Sequence, residues 1–254
     1  MKEKSVEKSS SIDKALIVLR QLCKEPYKFT MTELAKKTEI NRTTIYRILN
    51  TLEDKGLVIK TKDNKQYKLG PFAYEMGSIY LNNFRFKDSI YPILDKISHE
   101  TKESVGFAVI DGEKVISLYE IEIDQPMKMN YRPGINYPIN RGCYGKCLMA
   151  YYDQDRVKEI LKNKEFEQVC ENTITDKEEL LKEYEKIRQQ GYVVSINETF
   201  PFAVGVGVPI RNSSGEVKAC VAIAFFKRED YKEKLENMKK VLLKYQDEIS
   251  KYMI

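Results

Sequence analysis

The chain has little of the chemistry that most catalytic and metal centres use. Its 254 residues include a single histidine, His99, and no tryptophan. The five cysteines are odd in number and widely scattered, and no two of them form a C-x-x-C pair. This pattern excludes a dense disulfide framework and leaves too few ligands for a Cys/His zinc site. We therefore expect reduced thiols, no metal and no cofactor.

Long apolar runs are also missing. No segment approaches the roughly 20 apolar residues that span a bilayer, although 42% of the residues are hydrophobic. Residues 1–11 are charged and serine-rich, without the apolar core of a secretory signal peptide. These absences predict a cytoplasmic protein without membrane association, and the length allows two domains.

Positive charge is concentrated at the start of the chain. Residues 1–70 contain 16 Lys and Arg against 9 Asp and Glu, whereas the rest contains 27 against 29. A basic segment suits a polyanionic partner, because each cation placed on a phosphate releases condensed counterions. A lysine-rich solvated surface would give the same count, so charge alone does not identify the partner.

The basic segment predicts a first amphipathic helix. Ile12, Leu16, Leu19 and Cys23 recur at three- and four-residue steps, which places them on one helix face. We expect this face to lie in a core. The helix should end before Pro26.

A second and a third helix follow, separated by a tight turn. Thr30 and Glu33 form a capping-box pair, and the helix that they start stops near Thr38. Asn41 is a suitable N-cap for the third helix, which is predicted over Arg42–Lys55 with a glycine after it. Two short helices joined in this way indicate a helix-turn-helix.

The third helix has two unlike faces. At about 100° per residue, Ile45, Ile48, Leu49 and Leu52 form one stripe, which predicts the buried face. The opposite side carries short polar, amide and guanidinium groups, which read base edges and phosphates from the major groove. A structural surface helix would more often show Glu–Lys pairs at four-residue spacing. We predict DNA contacts at Asn41, Arg42, Thr43, Thr44, Tyr46, Arg47 and Asn50.

Two strand-like runs, residues 57–61 and 66–69, flank a polar turn and predict a wing. Its lysines Lys60 and Lys62 are candidates for contact with a flanking phosphate. A lysine-rich edge can equally prevent pairing with a neighbouring strand, so both interpretations stand.

The segment Asn41–Leu52, followed by Tyr67–Gly70, resembles the IclR family of transcription regulators. Later motifs have the order and spacing of that family, and the similarity covers Ser11 to Phe226. These motifs are TKESV (101–105), RPG (132–134), GK (145–146), TITD (173–176), IRQQGY (187–192) and VPI (208–210). The resemblance implies a winged helix-turn-helix over 1–70, a linker helix over 71–87 and a GAF-like effector domain over 88–254. It also implies homodimers, or dimers of dimers, on palindromic double-stranded DNA.

The segment after the wing predicts a helix that starts at Pro71 and carries an apolar stripe. The stripe contains Phe72, Met76, Ile79, Tyr80 and Phe84. It can lie on its own domain or on a partner helix. The resemblance favours a dimer contact, since two recognition helices must be held about one turn of DNA apart.

The rest of the chain mixes hairpins with helices, which indicates an α+β fold with an antiparallel sheet flanked by helices. The strongest hairpin signal is Asp111-Gly112, between runs 105–110 and 115–121. Helices are predicted over 144–152 and 176–190, and after Asp230. Further strands are predicted at Met127–Tyr131, Tyr192–Ile196, Ala203–Ile210 and Val217–Phe226.

Catalytic constellations are missing from this second part. His99 suits an ordinary helix surface, and Cys143 has no identifiable base. The segment Gly142–Cys147 lacks both the spacing and the Ser/Thr of a phosphate-binding loop. We predict no enzymatic activity, against the alternative of an enzyme that its basic segment targets to DNA. A third hypothesis is a protein-interaction module, because the chain has 17 tyrosines.

The glycine-rich turn at Gly142 leads into a helix whose N–H groups can hold a carboxylate, although any helix N-terminus gives this pattern. In the IclR family this turn borders the effector pocket. The resemblance implies an effector site at Met127, Met129, Gly142, Cys143, Tyr144, Asn197, Gly205, Ala222 and Ala224.

This sequence departs from the family at several of those positions. A common threonine–alanine pair is replaced by Gly142-Cys143, a frequent cysteine by Gly205, and two serines by Ala222 and Ala224. Because these changes remove polar groups, we predict a larger or more apolar organic acid, with an aromatic or aliphatic body.

Together these features predict a sequence-specific transcription repressor that is controlled by an organic acid. The alternative is an activator of a catabolic operon with the same architecture. Ligand binding would change how two recognition helices match a palindromic operator, in a direction that the sequence does not indicate.

Overall fold

The computed structural model describes residues 10–62, 65–82, 86–123 and 133–253. The chain divides into two compact units, Met1–Asn82 and Asn83–Ile254. The first unit therefore includes most of the segment predicted to be the linker helix. None of the helices described is both long and apolar enough to cross a membrane.

The first unit is a winged helix-turn-helix, as predicted. Its elements are α1 (Ser11–Leu22), β1 (Phe29–Thr30), α2 (Met31–Thr38), α3 (Arg42–Asp54), β2 (Val58–Lys60), β3 (Gln66–Leu69) and α4 (Pro71–Asn82). The strands form an antiparallel sheet of order β1–β3–β2. The sequence predicted only the β2–β3 hairpin. The added strand β1 places the buried Phe29 opposite Tyr67, which joins the wing to the helical core.

The caps predicted from the sequence are present. Thr30 Oγ1 accepts the Glu33 N–H at 3.3 Å, and Glu33 Oε2 accepts the Thr30 N–H at 2.7 Å. Asn41 Oδ1 accepts the Thr44 N–H at 2.8 Å. Between the two helices Glu39 has a φ of +58°, which reverses the chain within three residues. Each cap contributes about 1 kcal/mol to helix stability.

The prediction for α1 is wrong about which face is buried. The helix buries Val18 and Leu22, whereas Ile12 is 72% exposed and Leu16 is 50% exposed. Both sets of residues recur at helical spacing, so periodicity alone does not distinguish the face that packs on α2 and α3. Large apolar side chains consequently remain on the surface of this unit.

Helix α4 buries none of its residues. Its apolar stripe includes Phe72, Met76, Ile79 and Tyr80, all of which are exposed. The fifth predicted member, Phe84, lies outside the described residues. An exposed apolar stripe of this kind is typical of a surface that meets another chain.

The second unit is built on one six-stranded antiparallel sheet. A π-helical turn (Phe86–Ile90) leads into α5 (Tyr91–Thr101), β4 (Ser104–Asp111), β5 (Lys114–Ile121), β6 (Asn136–Tyr137), α6 (Cys143–Ala150), α7 (Gln154–Lys162), α8 (Lys177–Gln190), β7 (Val193–Ile196), β8 (Ala203–Arg211), β9 (Val217–Phe226) and α9 (Tyr231–Ser250). The strand order is β6–β5–β4–β9–β8–β7. Helices α5 and α9 pack on one face, while α6 covers the other with α8 behind it. This confirms the predicted α+β fold.

Two short elements, β6 and α7, differ from the sequence prediction. The pattern did not predict β6 or α7, which are brief or strongly charged. The predicted strand Met127–Tyr131 lies outside the described residues.

Strand β5 contains a bulge at Leu118. Ala108 of β4 pairs with Ser117, but its neighbour Phe107 pairs with Tyr119, so Leu118 is an extra residue. Side chains alternate between the faces of a sheet, and the extra residue shifts that alternation by one. As a result Ser117 and Glu120, three positions apart, lie on the same face as α6.

Candidate functional site

Helix α3 presents one polar face to solvent. Its buried residues are Ile45, Ile48, Leu49 and Leu52, as predicted. The exposed predicted DNA contacts are Asn41, Arg42, Thr43, Tyr46, Arg47, Lys60 and Lys62, while Thr44 and Asn50 are half-buried. The first turn of α3 carries no acidic residue, so its N-terminus offers an unopposed positive dipole to a phosphate.

The second unit contains a pocket between its sheet and the start of α6. Two cross-strand rows form the floor, and all their members except Glu120 are small residues. One row is Ser104–Ala224–Gly205–Ser195, and the other is Glu120–Gly106–Ala222. Strands β4, β5, β7, β8 and β9 all contribute to this floor.

Cys143, in the first turn of α6, closes the pocket from above. A Cβ added at Gly205 would lie 2.8 Å from the Cys143 Sγ, so the small residue in β8 makes room for the thiol. Burial raises the pKa of Cys143 above its ordinary value. The thiol therefore stays protonated and acts as a wall of the pocket rather than as a nucleophile.

The N-terminus of α6 opens on the same pocket. Gly142, with a φ of +74°, precedes the helix and donates its N–H to Glu198 Oε2 at 2.9 Å. The N–H groups of the following turn have no acceptor within the helix. Gly142 and Cys143 both line the pocket, so this helix end is placed where it can hold an anion.

Lys146 fixes α6 in this position. It is only 1% exposed, and its Nζ donates to Glu198 Oε1 at 2.6 Å, to Glu183 Oε1 at 2.9 Å and to the Val194 carbonyl at 2.8 Å. Burial alone would lower the pKa of Lys146, but Glu198 and Glu183 together raise it. The lysine is therefore charged, and it ties α6 to β7 and α8.

The pocket also contains a carboxyl group that the sequence did not predict. Glu120 Oε1 accepts from Ser117 Oγ at 2.6 Å and from the Tyr137 hydroxyl at 3.2 Å, and Oε2 accepts from the Tyr144 hydroxyl at 3.1 Å. The two tyrosine rings are in edge contact, with centroids 4.9 Å apart. Desolvation raises the pKa of Glu120 to about 7, although the three hydroxyl groups oppose this.

The structure brings six of the nine predicted effector residues to the pocket. These are Gly142, Cys143, Tyr144, Gly205, Ala222 and Ala224. Asn197 is not among the lining residues, and its Nδ2 lies 3.5 Å from Glu171 Oε2. Met127 and Met129 lie outside the described residues. The sequence missed the lining residues Ser104, Gly106, Glu120, Tyr137, Ser195, Thr199, Ala203, Val204 and Ile223.

The pocket also has hydroxyl groups at positions that the sequence did not predict. Serine, threonine and tyrosine side chains enter the lining from strands and loops whose part in the pocket was not predicted. In the described part of the chain, no group of three or more His, Cys, Asp or Glu side chains could hold a metal ion.

Comparison with known proteins identifies both units. The family description "IclR helix-turn-helix domain" matches residues 11–61, and "Bacterial transcriptional regulator IclR C-terminal" matches residues 78–251. The HTH-type transcriptional regulator KdgR of Escherichia coli K12 is 29% identical over 223 residues, which cover 88% of this chain and 84% of KdgR.

Solved structures give the same result. The IclR protein of Thermotoga maritima is 32% identical, with a TM-score of 0.69 and coverage of 94% of this chain and 97% of that one. An IclR homologue from Microbacterium hydrocarbonoxydans, complexed with 4-hydroxybenzoate, has a TM-score of 0.78 at 20% identity. It covers 94% of this chain and 99% of its own, and at that identity it supports the fold alone. The chain belongs to the IclR family of transcription regulators, non-enzymatic proteins with a DNA-binding helix-turn-helix and an effector-binding C-terminal domain.

Proposed function

We propose that this regulator is a cytoplasmic repressor that an organic acid controls through the pocket of the second unit. The observation that carries the proposal is the pocket under the N-terminus of α6. Its floor is largely apolar, and its helix end suits a carboxylate. The Microbacterium homologue is complexed with 4-hydroxybenzoate, an organic acid, and this supports the proposed class of effector.

We also propose that the DNA contacts come from the nine predicted residues of α3, its cap and the wing. The exposure of most of these side chains supports this, as does the basic charge of the first unit. The proposed assembly is a homodimer or a dimer of dimers on a palindromic operator. Exposed apolar residues on α1 and α4 support it, because a second copy would remove them from water.

The first test is operator binding by the full chain. Fluorescence anisotropy should detect saturable binding to the intergenic DNA beside its own gene, at two salt concentrations and against unrelated competitor DNA. Specific binding should survive the competitor and weaken with salt as phosphate contacts are screened. Binding that the competitor removes completely would contradict a sequence-specific regulator.

The second test addresses the effector and the direction of regulation. Thermal-shift screening of aromatic and aliphatic acids should find stabilising ligands, because a ligand that binds only the folded state raises its melting temperature. Those ligands should then change operator affinity in the anisotropy assay. A reporter gene should be more active when the regulator is deleted, and lower reporter activity would identify an activator instead.

A further inference from the structure

One end of the pocket is built almost entirely of hydrogen-bond acceptors. The Glu120 carboxyl receives hydroxyl hydrogens from Ser117, Tyr137 and Tyr144. A tyrosine hydroxyl has one hydrogen, and here both tyrosines direct it to Glu120. Toward a further group their oxygens can act only as acceptors. When Glu120 is ionised, a ligand atom at this end therefore meets acceptors and needs a donor of its own.

The charges around Glu120 also favour a ligand that has a hydrogen-bond donor rather than a second anionic group at this end. No lysine or arginine is among the described residues that line the pocket. The titratable groups that act on Glu120 are Glu122 on the segment after β5, Tyr137 on β6, Tyr144 on α6 and Cys220 on β9. None of these is a cation. A second carboxylate on a ligand would thus lose its water without gaining a counter-charge.

The opposite end of the pocket differs. There the α6 N-terminus offers backbone N–H groups, and the space above Gly106 is taken by the Glu120 carboxyl and the Tyr144 hydroxyl. A Cβ at Gly106 would lie 2.0 Å from Glu120 Oε2 and 1.8 Å from the Tyr144 hydroxyl oxygen, so only glycine permits this arrangement. The pocket therefore has a donor end and an acceptor end.

We propose that Glu120 makes the pocket select acids that carry a hydrogen-bond donor, a hydroxyl or an ammonium group, opposite their carboxylate, and reject acids with a second anionic group. This inference rests on the proposed function, because it assumes that the pocket holds an effector acid.

Four aromatic acids that differ only at the para position test this selection. They are benzoate, 4-hydroxybenzoate, 4-(aminomethyl)benzoate and terephthalate, and isothermal titration calorimetry on the full chain measures their affinities. The hydroxyl and ammonium probes should bind at least about tenfold more tightly than benzoate, which is the typical effect of one well-placed hydrogen bond to a charged group. Terephthalate should bind most weakly. Binding of terephthalate equal to that of 4-hydroxybenzoate, or no binding by any probe, would overturn the proposal.

The pH dependence of affinity distinguishes the hydroxyl probe from the ammonium probe. With the pKa of Glu120 at about 7, the carboxyl gains charge between about pH 6 and about pH 8. The affinity of 4-(aminomethyl)benzoate, which stays cationic at its amine over this range, should rise across it. Affinity for benzoate should change much less.

Variants assign the effect to Glu120. Glu120→Gln keeps the shape and removes the charge, so the affinity advantage of the ammonium probe over benzoate should fall about tenfold or more. Glu113→Gln, an exposed carboxylate in the β4–β5 turn, is the matched control and should leave the order of the four probes unchanged. Tyr137→Phe should weaken 4-hydroxybenzoate binding while the fold is retained. An unchanged probe order in Glu120→Gln would refute the role of Glu120, and operator binding by the same samples distinguishes that result from failure of the proposed function.

Discussion

The DNA-facing surface and the effector pocket are built in opposite ways. The surface comes from one short stretch, residues 41–62, in which the α3 helix shows its polar side to solvent. The pocket takes residues from Ser104 to Ala224, and strands far apart in sequence supply neighbouring parts of one floor. Substitutions of exposed side chains on the surface should have independent effects. Substitutions in the pocket should be coupled, because the side chains there pack against one another in a buried space.

The largest expected effect comes from the buried lysine behind the pocket. Lys146→Met removes the charge that pairs with Glu198 and Glu183, and it should destabilise the second unit by about 3–5 kcal/mol. Hydrogen exchange should show faster exchange in β8 and β9, with α3 unchanged. Lys186→Met is the control, since Lys186 is exposed and lies 4.0 Å from the same Glu183. It should change stability by less than about 0.5 kcal/mol, and equal losses in both variants would contradict the prediction.

A substitution on the DNA-facing surface should weaken DNA binding without lowering stability. Arg47→Ala should weaken operator binding by about 1–3 kcal/mol, because a guanidinium that reads a base edge or phosphate is lost. The melting temperature should stay the same, since Arg47 is exposed. Anisotropy and thermal unfolding measure the two quantities. Arg20→Ala, an exposed arginine on α1, should leave affinity nearly unchanged; a lower melting temperature in Arg47→Ala would place the side chain in the core instead.

Within the pocket, pairs of residues should behave as units. Gly205→Ala brings a methyl group to 2.8 Å from Cys143 Sγ, and such overpacking should destabilise by about 1–3 kcal/mol. Adding Cys143→Ala should recover most of that loss in urea unfolding. Gly77→Ala on α4 meets no atom within 4 Å and should be neutral or slightly stabilising. Additive effects of the two pocket substitutions would argue against the contact.

The smallest expected effect is the pH dependence of Glu120. Its pKa is raised by burial to about 7 in the folded chain, so between its ordinary value and 7 the folded state binds more protons than the unfolded state. The wild-type chain should therefore lose stability as pH rises through that window. Glu120→Gln lacks this loss, and its stability relative to wild type should increase by on the order of 1 kcal/mol. Unfolding free energies at several pH values test this, and a flat difference would contradict the raised pKa.

The same difference between the two regions explains which structural features could be predicted from the sequence. The α3 faces, the Asn41 cap and the Thr30–Glu33 capping box depend on residues within four positions, and the sequence predicted all of them. The face of α1 was predicted wrongly, because two apolar sets share its spacing and only the tertiary contacts decide between them.

The glycine-rich turn at Gly142 was predicted from the residues themselves. Its place in the pocket, and that of the alanines of β9, was predicted through the family resemblance alone. Glu120 could not be found in this way. Its environment comes from Tyr137, Tyr144 and a bulged strand, and none of these pairings is visible along the chain.

The bulge at Leu118 has a consequence for the alignment of related sequences. Because the extra residue shifts the alternation of side chains along β5 by one, Ser117 and Glu120 both lie on the pocket face, like their partners Ala108 and Gly106 on β4. A relative with a regular strand here would need a one-residue gap at Leu118. Without that gap, Tyr119 and Ile121 would be assigned to the pocket and Glu120 to the opposite face. Transfer of effector specificity between relatives therefore depends on where the gap is placed as much as on which residues are identical.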